Sequence, residues 1–289
     1  MQALKSLIFG LFGGFNKAVS TFALYITVFV FSTITLIPLN NGFHATFDRM
    51  PAAIDFTHGR GLDLLFSNQG LSSGFWASSF GLLLPSLIVF AIFCMWLEAG
   101  IYGLAAGEDR GFRALARAGS DYFWGFMRLF LLNAILWSIL TAILGVIIVK
   151  VGKAFYTDNH ALLGSVILVE TVLFLIIANL ARNSIGFAQA RWVVKEGREG
   201  TWQCFIRAFL FTLRRLIPVN FITWSFCGLR AIIIPLLVVK LAPGFDGGWQ
   251  WFMTATFFQL AFLFTSYMRV AEARAQVQYT HSFVSMDRF

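Results

Sequence analysis

The sequence predicts an all-α polytopic membrane protein, with six transmembrane helices in three hairpins and amphipathic helices lying in the cytoplasmic interface. Three observations carry this. Of 289 residues, 58% are apolar and only 12% charged, about half the charge of a soluble domain. Six segments are long and apolar enough to cross about 30 Å of hydrocarbon. The connections between them divide Lys and Arg unequally. Phe alone occurs 34 times, more apolar surface than a water-facing exterior accommodates. The same composition excludes disorder, a disulfide-stapled secreted module, collagen and coiled coil.

The elements follow in order. In residues 1–17, Leu4, Leu7, Ile8, Leu11, Phe12 and Phe15 recur at helical spacing, with Lys5 and Lys17 off that stripe. A signal peptide shows one compact apolar run and a small-residue cleavage site instead, so this segment predicts an amphipathic helix in the interface. Gly10, Gly13 and Gly14 weaken its other face. The predicted spans are 18–38, 80–104, 123–149, 162–181, 216–240 and 249–268. Each must be helical, because lipid offers no partner for an unpaired backbone N–H or C=O. The ten-residue alternation of a membrane β-barrel is missing.

The 39–79 segment is the long outer connection. Its His44, Asp48, Asp55, His58 and Asp63 match no dedicated metal motif. Mixed with Arg49 and Arg60, they read as a solvated loop, and no metal or other cofactor is predicted. The 182–215 connection is basic. Gly197 and Gly200 are expected to break a helix running on from the fourth span, with Thr201 capping the next.

Sixteen of the 22 Lys and Arg lie in the N-terminus, the 105–128 and 182–215 connections and the C-terminal tail. The alternate connections hold five, and Arg230 lies within a span. Cationic residues accumulate on the cytoplasmic side, so both termini are predicted to be cytoplasmic, in a bacterial inner membrane. Trp76, Trp249 and Trp251 mark the outer interface; Trp124, Trp192 and Trp202 mark the inner one. The net charge of +8 is thus assigned to a membrane face rather than a nucleic-acid groove. Cys94, Cys204 and Cys227 form no metal or disulfide pattern.

The amphipathic stripe returns at Trp202, Phe205, Ile206, Phe209, Leu210 and Leu213, and more weakly at Phe112, Leu115 and Ala116. The third and fifth spans also begin alike, Arg128–Asn133 and Arg215–Asn220 both reading R-L-x-x-x-N. Three copies of one unit, an interfacial helix and two spans, would give this pattern; so would the common need of every entry helix for Arg and an apolar face. The run 116–129 (ARAGSDYFWGFMRL) and the run 188–196 (AQARWVVKE) resemble uncharacterised bacterial six-span inner-membrane proteins. More distantly they resemble the membrane domain attached to some glycerophosphodiester phosphodiesterases. The resemblance implies a fold type; with no phosphodiesterase catalytic domain in the sequence, it implies no activity.

Ionisable groups inside spans cost about 2.5–3.5 kcal/mol each on insertion scales and are the first functional candidates. Glu98, Glu170 and Arg230 qualify. Glu170 and Arg230 lie at similar depths from the outer ends of their spans, so an ion pair between them is expected, serving as a structural clamp or as a substrate or proton site. Asn133, Asn179 and Asn220 add in-span polarity, as does Gln259. Gly103 and Gly107 form a GxxxG that permits close helix packing. Arg191, Lys195, Arg207, Arg214 and Arg215 are candidate contacts for anionic lipid headgroups, worth about 1 kcal/mol each near the surface. Walker A, dinucleotide-binding, GxSxG, HExxH and CxxCH motifs are all missing, so nothing points to an enzyme.

Two functions lead from the sequence: transport or lipid handling through the bundle, and a non-catalytic accessory or assembly subunit of a larger membrane complex. A third, an intramembrane enzyme, needs Glu98 or Glu170 beside another polar group in a pocket. The expected partners are membrane lipids, with a membrane-protein partner or a second copy, and no nucleic acid.

Overall fold

A computed structural model describes residues 2–12, 16–47, 69–107, 111–154, 160–235 and 249–284. Over these residues the regular structure is all α-helical: α1 (Gln2–Phe12), α2 (Asn16–Phe47), α3 (Gln69–Ala106), α4 (Phe112–Ala154), α5 (His160–Val194), α6 (Thr201–Arg214), α7 (Leu216–Pro235) and α8 (Trp249–Val284). Four stretches are long and apolar enough to span a bilayer: Leu83–Ala106, Phe112–Ile147, Thr171–Val194 and Leu216–Pro235. Their outward Leu, Ile, Val and Phe side chains are broadly exposed. The chain is an integral membrane protein with helical spans.

The helices overrun the apolar segments. The expected outer connection is helical at both ends, since α2 runs on to Phe47 and α3 begins at Gln69. The side chains of His44, Asp48, Asp55, His58 and Asp63 lie outside the described residues. At the third span no separate interfacial helix forms, because 112–122 is the first part of one continuous helix. Separate short helices precede a longer one at α1 and α6. Between α5 and α6 the break falls where the glycines were expected to put it. Gly197 is left-handed at φ 68°, Glu196 at φ 51°, and the Gly197 N–H donates to the Trp192 carbonyl at 2.9 Å to close α5. The cap of α6 is a correction: Gly200, extended and without a side-chain cap bond, is the N-cap, and Thr201 is the first helical residue.

The chain divides into two compact units, residues 23–95 and residues 1–22 with 96–289. In the first, α2 and α3 pack through Phe31, whose ring lies 5.1 Å from Phe90 and 6.0 Å from Phe93. In the second, α8 is the central element, packed against α1, α5 and α7. From Val270 to Thr280 almost every residue is buried, including Glu272 and Gln276. This most polar of the long helices sits inside, and apolar side chains such as Ile217, 84% exposed, face outward. That is the arrangement of a membrane bundle, where lipid solvates the apolar exterior and helices must satisfy polar groups among themselves.

The small residues make the close contacts. A Cβ at Gly10 would lie 2.6 Å from the Ala271 carbonyl oxygen and 2.9 Å from Ala275 Cβ, so α1 reaches α8 through its glycine and Ser6 face. The Tyr267 hydroxyl donates to the Leu11 carbonyl in the same contact. Leu4, Ile8 and Phe12 point outward, while Leu7 and Leu11 of the same stripe pack against the core; the glycine expected only to weaken α1 is what docks it. A Cβ at Gly103 would lie 2.5 Å from Ala118 Cβ and one at Gly100 2.6 Å from the Leu115 carbonyl oxygen, so these two glycines let α3 close on α4, while Gly107 of the GxxxG lies past the end of α3.

Candidate functional site

Two polar assemblies lie in the larger unit. The first is buried in the bundle. Glu272 on α8 has a fully buried side chain, accepts from the guanidiniums of two helices and faces a third guanidinium. Arg182 Nη2 on α5 reaches both carboxylate oxygens at 2.9 Å, Arg230 Nη2 on α7 reaches Oε2 at 2.8 Å, and Arg269 Nη1 one turn earlier on α8 lies 3.5 Å away. Arg269 also donates to Glu98 on α3, from Nη2 at 2.6 Å and Nε at 3.2 Å. Tyr102 completes the column, its hydroxyl donating to Gln276 Oε1 at 2.5 Å. Glycine at 186 leaves room for that amide: a Cβ there would come within 2.8 Å of Gln276 Oε1.

Beside it runs an amide network between α5 and α7. Asn179 and Asn183 donate to Asn220 Oδ1 at 2.9 and 2.8 Å, and the Thr223 hydroxyl donates to Asn183 Oδ1 at 2.6 Å. Of the residues singled out in the sequence, Glu98 and Arg230 enter the charge network and Asn179 and Asn220 meet directly. Asn133 stays on its own helix, accepting from Trp137 Nε1 at 2.7 Å. The side chain of Glu170 lies outside the described residues; Arg230 spends its Nη2 on Glu272.

Arg269, Glu272, Gln276 and Tyr102 are the members of this network that sequence reasoning missed. The first three lie past the end of the span read from hydropathy. Their signal was spacing: Arg269, Glu272, Gln276 and Thr280 fall at i, i+3, i+7 and i+11, one face of a helix, amid Ala271, Ala273 and Ala275, which suit tight packing.

The second assembly is an open cavity of about 990 Å³ where α5, α6, α7 and α8 meet. All five basic residues named from the sequence, Arg191, Lys195, Arg207, Arg214 and Arg215, line it. Its apolar wall includes Phe187, Phe211 and Phe283, whose rings pack at 5.7 Å in the Phe187–Phe211 and Phe211–Phe283 pairs. Arg215 stacks its guanidinium 3.9 Å from the Phe283 ring centre, a cation–π contact. Glu199 holds Arg191 by two 2.8 Å bonds, from Nε and Nη2, and Arg207 Nη1 by one of 2.5 Å. Among the described residues, Lys195 and Arg214 have no carboxylate partner. Thr280 Oγ1, which is buried and without a partner, belongs to a residue of the same wall.

The bonds from Arg191 hold the Glu199 carboxyl below the ordinary carboxylate range; burial opposes this, and Arg207 adds to it. A carboxyl lowered in the folded state contributes stability above its unfolded pKa of about 4.3 and loses it as pH falls through the folded value. Glu199→Gln is therefore expected to melt below the wild type at pH 7, with the gap closing under about pH 4. A gap independent of pH in thermal melts would show that the charge of Glu199 is not what matters.

No protein-family model matches this sequence, and no curated protein or solved structure matches it either.

Proposed function

We propose that this protein handles anionic lipid, holding the headgroup in the basic cavity between α5 and α6 with the acyl chains outside along the apolar surface. The observation that carries this is the cavity itself. Five cations face one concave space whose other walls are aromatic and aliphatic, an amphipathic surface matched to an amphipathic ligand. Guanidinium groups suit phosphate because their planar donors bind its oxygens in pairs. Ile217 and Trp224 on α7, 84% and 62% exposed, extend the apolar surface beyond Pro218 at the cavity wall.

The uneven distribution of Lys and Arg supports placing the cavity at the cytoplasmic face of a bacterial inner membrane, with six spans and both termini inside. The interior network then sits above the cavity. Glu272 is eight residues before Thr280 on the same helix face, about 12 Å along the axis. The network's three guanidiniums and two carboxylates cross-link α3, α5, α7 and α8, and the last three of these helices carry cavity walls.

Native mass spectrometry of the detergent-solubilised protein, titrated with phosphatidylglycerol or phosphatidylcholine, tests the proposal. Lys195, Arg214 and Arg215, which have no carboxylate partner among the described residues, at about 1 kcal/mol each predict at least about a tenfold preference for the anionic lipid. Equal retention of the two lipids would contradict it.

A further inference from the structure

The cavity's cations are not evenly spread. On α6, Arg207 and Arg214 stand seven residues apart on one face, about 10 Å along the axis, with Leu210 and Phe211 between them. Arg207 belongs to a first pole with Arg191 and Lys195, into which Glu199 brings one negative charge. Counted over the described residues, that pole carries a net charge of two. Arg214 and Arg215 make the second pole, also with a charge of two, and no carboxylate among the described residues reaches it. Along α6 the ring of Phe211 lies between the poles, and Phe187 and Phe283 pack against it.

We infer that the cavity takes a lipid bearing two phosphate groups, one at each pole, with its bridging carbons lying over Leu210 and Phe211. A single phosphodiester engages one pole and leaves the other facing an empty, partly desolvated space. Two phosphates linked by a short bridge place one negative charge at each pole, and the second engages at the high effective concentration that the link provides. The apolar separator favours a lipid over a soluble bisphosphate, because it covers the hydrocarbon of the bridge and the first acyl carbons. This inference rests on the anionic-lipid reading above and names the ligand class of the same site.

The test compares cardiolipin, which has two bridged phosphates, with phosphatidylglycerol at equal phosphate concentration, by native mass spectrometry of the full chain. Lys195→Gln weakens the first pole and Arg214→Gln the second. Neither side chain has a carboxylate partner among the described residues, so both variants are expected to fold. Arg198→Gln, whose side chain pairs with Glu196 in the open, is the control. The expected result is a preference for cardiolipin of about a hundredfold in the wild type and in the control. Either pole variant is expected to lower it to about tenfold or less. Phosphatidylglycerol bound as tightly per phosphate as cardiolipin would overturn the two-pole inference while leaving the anionic-lipid reading intact. No anionic lipid bound at all would overturn both. Displacement of cardiolipin by fructose 1,6-bisphosphate at comparable concentration would show that the site takes a soluble bisphosphate and would also overturn it.

Discussion

Glu272→Gln is expected to destabilise the protein by about 3–5 kcal/mol, the cost of removing one partner from a buried ionic network. The amide keeps the volume of the carboxylate and loses its charge. Arg182, Arg230 and Arg269 then face one another with, among the described residues, only Glu98, bonded to Arg269, to offset them. Neither water nor lipid relieves that excess cheaply inside the bundle, because desolvated charge has no high-dielectric screen. A triple replacement, Arg182→Met with Arg230→Met and Glu272→Leu, removes the charges together and leaves the Arg269–Glu98 pair. It is expected to be more stable than Glu272→Gln alone, since a buried ionic group exchanged whole for apolar side chains costs little or nothing. Thermal unfolding in mild detergent, followed by tryptophan fluorescence, separates the two variants. Wild-type stability in Glu272→Gln would mean that the three guanidiniums do not depend on this carboxylate.

The second large effect belongs to the basic cavity. Arg207→Glu combined with Arg214→Glu changes the local charge by four units, two at each end of the α6 face. At about 1 kcal/mol per unit near a membrane surface, affinity for anionic lipid should fall by about a hundredfold or more. Both side chains are exposed or nearly so, and the buried face of α6 is made of Cys204, Phe205, Ala208 and Thr212. The helix therefore keeps its seat on α5, and the melting temperature should move far less than in Glu272→Gln. Arg207→Glu also places a second carboxylate beside Glu199, which is expected to shift Arg191 rather than unfold the helix. Loss of lipid binding with folding retained is the signature that separates a ligand site from a structural one.

Much of this architecture is legible in the sequence for simple reasons. The helical class follows from composition, because an apolar chain in lipid has to satisfy its own backbone. The break at Gly197–Gly200 is legible because a left-handed residue is needed to end α5, and glycine provides it without strain. The five basic cavity residues are legible as a cluster because four fall at helical spacing, Arg191 with Lys195 and Arg207 with Arg214.

Other features escape hydropathy. Arg269, Glu272 and Gln276 lower the apolar average of α8 so far that its most buried part reads as a tail. A central helix screened by others has no need of apolar side chains if its polar groups find partners. Ser6 and Gly10 escape for the opposite reason. In water the apolar stripe of α1 would face the protein, whereas here Leu4, Ile8 and Phe12 face out and Ser6 and Gly10, flanked by Leu7 and Leu11, pack inward. Side-chain partners across elements, such as Arg182 with Glu272, 90 positions apart, are set by tertiary packing, and no local spacing encodes them.

The most direct test of the central claim is the lipid the protein carries out of its own membrane. Gentle extraction and purification, followed by mass spectrometry of the bound phospholipid, should find anionic lipid enriched about tenfold or more over its share of that membrane. The enrichment should vanish in the folded Arg207→Glu, Arg214→Glu variant. Bound lipid matching the bulk membrane composition in the wild type, or enrichment that survives in the variant, would contradict a headgroup site in the basic cavity.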